Sequence, residues 1–138
     1  RKVIVLESDG STLLSLYNLP TLGNLNVPNL AVFVFDNEVY SGTRISEPSA
    51  TSGKTDLAAV ARSCGIERAT TVRDLDSYKR EATKALNENV LSFVVCKVEK
   101  TTGHRQIPRP TEDHWEHKYK FVRYLEETEG KPIFLSRG

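Results

Sequence analysis

The chain has 138 residues, 38% of them apolar and 27% charged, with a formal net charge of +1. That length suits one domain with a real core. The near-neutral balance gives no electrostatic case for nucleic acid, and no apolar run approaches the roughly 20 residues that span a membrane.

The chain opens with Arg1-Lys2 directly against a strand, without an initiator Met or a secretory signal pattern. It is expected to be a piece of a longer chain whose earlier part supplies neighbours for that strand. Residues 2–6 carry a continuous apolar run, Val3-Ile4-Val5-Leu6, rich in β-branched residues, the pattern of a strand covered on both faces. From residue 12 to about 25, leucines at 13, 14, 16, 19, 22 and 25 follow one helical stripe, which Pro20 either kinks or shortens. Residues 23–28 connect it to a second apolar strand over 30–35. Residues 36–55 hold seven Ser or Thr with Gly42, Pro48 and Gly53 and no apolar period. A loop of about 20 residues in so small a domain is usually functional, and this one follows Asn37 directly, so it is expected to face a ligand.

Thr55 or Asp56 can cap a helix over 57–64 that Gly65 ends. A short strand over 69–72 follows. Asp74 or Asp76 then caps a helix over 75–88, with Leu75, Tyr78, Ala82, Ala85 and Leu86 on one face. Residues 90–98 form a third strong strand. Cys64 and Cys96 both lie inside these apolar patterns, which points to buried thiols in a reducing, cytoplasmic setting rather than a disulfide. The polar segment 101–111 leads to a last helix over 114–128, with Trp115, Tyr119, Val122 and Leu125 on one stripe, ending at Gly130. Alternation of strands and helices predicts an α/β fold, a three-layer α/β/α sandwich with a mostly parallel sheet and right-handed crossovers.

Two buried strands of this kind deliver Asp9 and Asn37 to the same edge of the sheet, the edge where α/β proteins bind ligands. Asp9-Gly10-Ser11 offers a carboxylate, a backbone without Cβ and a hydroxyl at the opening of a helix, where unpaired amides favour phosphate. Asn37 adds a neutral oxygen, and carboxylate, amide and phosphate oxygens together suit Mg²⁺. The residues therefore suggest a metal-bridged diphosphate. Other chemistries fit less well. Glu7 stands where a haloacid dehalogenase-like phosphatase needs a nucleophilic aspartate. Ser52-Gly53-Lys54-Thr55 ends like a Walker A loop but has Pro48 at the place of its first Gly. His114 and His117 lack further metal ligands at suitable spacing, and His104 beside Arg105 sits in a polar segment.

Ser8-Asp9-Gly10 followed 28 positions after Asp9 by Asn37 resembles the Gly-Asp-Gly…Asn-Asn motif of thiamine-diphosphate-dependent enzymes, in their diphosphate-binding (C-terminal) domain. Asp36-Asn37-Glu38-Val39-Tyr40 resembles the family's Asp-Asn-x-x-Tyr variant, and residues 55–65 its following helix. Residues 118–130 are similar to the end of sulfopyruvate decarboxylase β-subunits and phosphonopyruvate decarboxylases. The resemblance implies that Asp9, the Asn37 side chain and the Val39 carbonyl bind Mg²⁺. It implies that Gly10 and Ser11 cradle the diphosphate of thiamine diphosphate, and that Tyr40 and Ser41 begin a cofactor-facing loop. It also implies a 2-oxo acid decarboxylase acting on sulfopyruvate or a similar anionic substrate, in a homo- or hetero-oligomer. No catalytic residue is expected in this chain, because the family's activating glutamate comes from a pyrimidine-binding domain or subunit. Two positions depart from the motif: Asp36, a variation of that subfamily, and Ser8, which places a side chain where the family has Gly. A non-catalytic diphosphate-binding-like module, its site decayed at Ser8, is the alternative.

Overall fold

A computed structural model describes residues 1–40, 46–100 and 113–133. The chain divides into two units, Arg1–Thr102 and Gly103–Gly138. The first contains a four-stranded sheet built from β1 (Val3–Ser8), β2 (Leu30–Asp36), β5 (Ala69–Val72) and β6 (Ser92–Lys97). Its order is β1-β2-β6-β5 and every pairing is parallel.

Helices α1 (Asp9–Leu14), α2 (Asn18–Leu25), α3 (Leu57–Ser63) and α4 (Leu75–Asn87) connect the strands. Two successive connections, β1 to β2 and β2 to β5, step across the sheet in one direction. Leu19 of α2 and Leu57, Ala58 and Ala61 of α3 pack with Val32, Val34, Phe93 and Val95 on one face. The return from β5 to β6 runs the opposite way, and a right-handed crossover must then use the other face. Accordingly Tyr78, Ala82 and Ala85 of α4 meet Ala31, Phe33, Val94 and Cys96 there. Alternate residues of β2 and β6 thus feed two cores, as strand geometry requires, and the result is the expected three-layer α/β/α arrangement.

Local chemistry accounts for the boundaries. The Asp56 carboxylate accepts the Ala59 amide to start α3, and Asp74 accepts the Ser77 amide to start α4; such caps are each worth about 1 kcal/mol. Pro20 neither kinks nor ends a long helix: the stripe divides into α1 and α2, and Pro20 falls in the first turn of α2, where its missing N–H costs nothing. Gly23 has a packing reason, since a Cβ there would lie 1.8 Å from the Cys64 carbonyl oxygen. α2 and α3 touch backbone to backbone at that point.

Three further expectations need correction. β1 is not covered on both faces. It ends the described sheet, and Ile4 and Leu6 are 51% and 66% exposed, because α4 packs over the strands further in and no described element of the first unit covers β1 on that side. In α4, Leu75 and Leu86 are exposed; Leu75 overhangs in the first turn and Leu86 lies a helical step round from Ala85, leaving Tyr78, Ala82 and Ala85 as the inward stripe. The 36–55 segment is not structureless either. It holds a small antiparallel pair, β3 (Val39–Tyr40) with β4 (Glu47–Pro48), and a 3-10 turn over Ala50–Ser52.

The second unit contains α5 (His114–Glu129), started by the Asp113 carboxylate on the Trp115 amide and ended by Gly130 at φ 63°. Residues 101–112, with His104 and Arg105, lie outside the described residues, as do 134–138 and the side chain of His114.

Candidate functional site at the ends of β1 and β2

Parallel register places Ser8 of β1 beside Phe35 of β2, so the residues that follow, Asp9 and Asp36-Asn37, emerge together at the carboxyl edge of the sheet. A cavity of about 850 Å³ opens there, and its walls include Ser8, Gly10, Ser11, Asn37, Val39 and Tyr40. These are the residues singled out from the sequence, apart from Asp9, which lies beneath, and Ser41, which lies outside the described residues.

Asp9 is fully buried at the start of α1. Its Oδ2 accepts a hydrogen bond from Ser49 Oγ at 2.5 Å and lies 3.1 Å from Thr51 Oγ1. Thr51 Oγ1 also lies 2.7 Å from Asp36 Oδ1, to which it can donate. Its other carboxylate oxygen, Asp9 Oδ1, is buried with no hydrogen-bond partner. A carboxylate oxygen without a donor in a dry site is costly unless a cation meets it. Among the described residues no group of three or more His, Cys, Asp or Glu could hold a metal, so a cation here would have to be met by Asp9 with neutral oxygens. Asn37 and the Val39 carbonyl are such oxygens, and hard-oxygen sets of this kind are what Mg²⁺ takes.

The backbone after Asp36 is tightly folded. Asp36 Oδ1 accepts the Glu38 amide at 3.0 Å and Asn37 Oδ1 accepts the Val39 amide at 3.1 Å. Glu38 between them is in the left-handed region at φ 61°, uncommon for a residue with a Cβ. Two cations hold its side chain: Lys100 at 2.8 Å from Oε2 and Lys97 at 3.0 Å from Oε1. Hydrogen bonds from Lys100 and then Lys97 lower the Glu38 carboxyl to about 2. Lys97 also pairs with the buried Asp36, 2.8 Å from Oδ2. Burial works against its charge, but its bonds to Asp36 and Glu38 prevail and its pKa is raised.

Ser8 resolves its departure from the Gly of the motif. Its φ of −104° is ordinary extended backbone, so no glycine is demanded there, and its hydroxyl turns onto the helix and accepts the Ser11 amide at 3.2 Å. Ser8 is therefore the cap of α1, using an amide assigned from the sequence to a phosphate. Gly10 is needed for close approach: a Cβ would lie 2.7 Å from Cδ2 of the Tyr40 ring.

Ser49, Thr51 and Lys97 are the site residues that the sequence reading misses. Ser49 and Thr51 are two of many hydroxyls in a polar segment, and only their burial sets them apart. Lys97 offered a visible signal, a cation ending a strand otherwise buried throughout. The Walker-like Ser52-Gly53-Lys54-Thr55 merely ends the 3-10 turn and leads to the α3 cap.

Residues 1–96 match the family model of the thiamine pyrophosphate enzyme, C-terminal TPP binding domain. Sulfopyruvate decarboxylase subunit beta of Methanocaldococcus jannaschii is 34% identical over 96 residues, 70% of this chain and 50% of that protein. The subunit of the same name from Methanococcus maripaludis is 28% identical, covering 91% of this chain and 65% of its own length. Phosphonopyruvate decarboxylase of Streptomyces viridochromogenes is 35% identical over 62% of this chain and 21% of its own. The chain thus spans from half to about two thirds of the length of these beta subunits. In fold, benzoylformate decarboxylase from Polynucleobacter necessarius superposes with a TM-score of 0.59 at 22% identity, covering 73% of this chain and 20% of that one. The chain belongs to the thiamine pyrophosphate enzyme family, through its C-terminal TPP-binding domain.

Proposed function

We propose that this chain is the diphosphate- and Mg²⁺-binding half of a thiamine-diphosphate-dependent 2-oxo acid decarboxylase of the sulfopyruvate decarboxylase kind. The observation that carries the reading is the buried Asp9 carboxylate, with one oxygen unpartnered, beside a cavity walled by Gly10, Ser11, Asn37, Val39 and Tyr40. Asp9, the Asn37 side chain and the Val39 carbonyl would hold Mg²⁺. Gly10 and Ser11 would face the diphosphate, and Tyr40 with Ser41 the cofactor beyond it. When bound, thiamine diphosphate supplies the electron sink for loss of carbon dioxide from a 2-oxo acid.

This chain's own part is anchoring. Ser49 fixes Asp9 through a hydrogen bond, Thr51 links Asp9 to Asp36, and Tyr40 closes over Gly10. The activating glutamate and the groups that bind an anionic substrate such as sulfopyruvate would come, at least in part, from a pyrimidine-binding domain or subunit. That two of the relatives are beta subunits by name supports that division.

Calorimetric titration of thiamine diphosphate with Mg²⁺ tests the reading, on the chain alone and with a co-purified partner. Wild type should bind and an Asp9→Ala, Asn37→Ala double variant should not; equal binding by both sinks the proposal. A module whose site has decayed at Ser8 would bind neither way.

A further inference from the structure

We propose that Lys97 positions the metal site: its ammonium ties the end of β2, the left-handed residue Glu38 and the turn carrying Thr51 into one unit around Asp9. The inference rests on the function proposed above, and extends it to a residue outside the cofactor motif.

An ammonium has three donors and no acceptor, and here each has its own target. Nζ is 2.8 Å from Asp36 Oδ2, 3.0 Å from Glu38 Oε1 and 3.3 Å from the Thr51 carbonyl oxygen. These three belong to different segments: the last residue of β2, the turn between Asn37 and Val39, and the 3-10 turn. Lys97 itself is only 17% exposed and is the register partner of Asp36 at the end of β6. From Asp36 the path continues through Thr51 Oγ1 to Asp9 Oδ2. A strand-end cation in the sheet is therefore linked to Asp9 through Thr51 and to the turn carrying Asn37 and Val39 through Asp36 and Glu38.

Charge explains why a lysine stands there. Asp9 and Asp36 are both fully buried on either side of the Thr51 oxygen, and a buried carboxyl group needs polar or charged partners, which Lys97 supplies to Asp36. Lys97 meets Asp36 Oδ2, the oxygen that the Thr51 hydroxyl does not reach, and Asp9 Oδ1 stays without a partner. The same ammonium holds the Glu38 side chain while its backbone adopts φ 61°. That backbone also accepts the Ser49 amide at 3.1 Å, which closes the loop back to the hydroxyl bound to Asp9.

The test uses the full chain, under whichever condition wild type binds, as Lys97→Gln, Lys97→Met and Lys97→Arg. Mn²⁺ affinity in the presence of thiamine diphosphate is read from the resonance of free Mn²⁺. Amide exchange at Glu38 and Ser49 is read by NMR without any cofactor. Partners bonded directly to metal ligands are worth about 10–100-fold in metal affinity, and Lys97 acts one step further out, so the neutral variants should lose about three- to tenfold and exchange faster at both amides. Arginine should restore both readouts, because the guanidinium keeps the charge. A Gln variant within about twofold of wild type in Mn²⁺ affinity overturns the role of Lys97, and so does an Arg variant that folds without restoring it. Should both neutral variants fail to fold, the Arg variant alone decides. Wild type that never binds Mn²⁺ with thiamine diphosphate removes the proposed function as well, which separates the two failures.

Discussion

Changing Ser8 to glycine restores the family's motif and asks whether the Ser8 hydroxyl competes with the cofactor. The Ser8 side chain accepts the Ser11 amide at 3.2 Å, at the long end for N–H···O geometry, and such neutral bonds are worth about 0.5–1.5 kcal/mol net. A diphosphate oxygen on the same amide makes a charge-assisted bond worth about 1.5–3 kcal/mol. In Ser8→Gly that amide is free, so binding no longer breaks the Ser8 bond and the gain over wild type is that bond's worth, about 0.5–1.5 kcal/mol. This corresponds to about 2- to 12-fold tighter thiamine diphosphate at about 1.4 kcal/mol per decade. The fold should hardly notice. Glycine caps helices within a few tenths of a kcal/mol of serine, and Ser8 already has extended dihedrals that either residue adopts. The assay is calorimetric titration with Mg²⁺ present, run beside thermal melts of both proteins. Unchanged or weaker affinity, with unchanged melting, refutes the competition and leaves Ser8 as a cap with no bearing on the ligand.

Gly23→Ala places a methyl group 1.8 Å from the Cys64 carbonyl oxygen. The backbones of α2 and α3 must separate, at a cost on the order of 3 kcal/mol, read as a lowered denaturant midpoint. In acid, Glu38 should make melting pH-dependent. Its carboxyl goes from 4.5 to about 2 on folding, so its contribution is complete above pH 4.5 and is lost as pH falls towards about 2. Glu38→Gln should flatten that part of the melting-versus-pH curve, and an unchanged slope would count against the Lys97–Glu38–Lys100 arrangement.

The fold was legible because its signals are local and strong. Val32, Val34, Val94 and Val95 lie in uninterrupted apolar runs, Asp56 and Asp74 sit where caps belong, and the alternation of elements leaves few topologies. β1 misled for a physical reason: an apolar run encodes burial in whatever assembly the sequence evolved in, and the described residues provide only part of that cover. The site was legible at Asp9, Gly10 and Asn37, whose chemistry follows from a strand end and a turn. It was not legible at Ser49, Thr51 and Lys97. Those residues act through contacts 40, 42 and 46 positions apart in the chain, and no periodicity reports a contact of that kind. Ser8 was visible as a departure, but whether its hydroxyl points to the helix or away from it is decided by one rotamer.

The open side of β1 bears on how this polypeptide behaves in a test tube. Val3, Ile4 and Leu6 are exposed on a strand at the end of the described sheet, and a bare strand edge flanked by apolar side chains is a template for another copy. Two chains meeting β1 to β1 would extend the sheet across both molecules. Preparations should therefore lose solubility as concentration rises, and a charged substitution at Ile4, toward the amino end of the strand, should delay precipitation without disturbing the cavity at its carboxyl end.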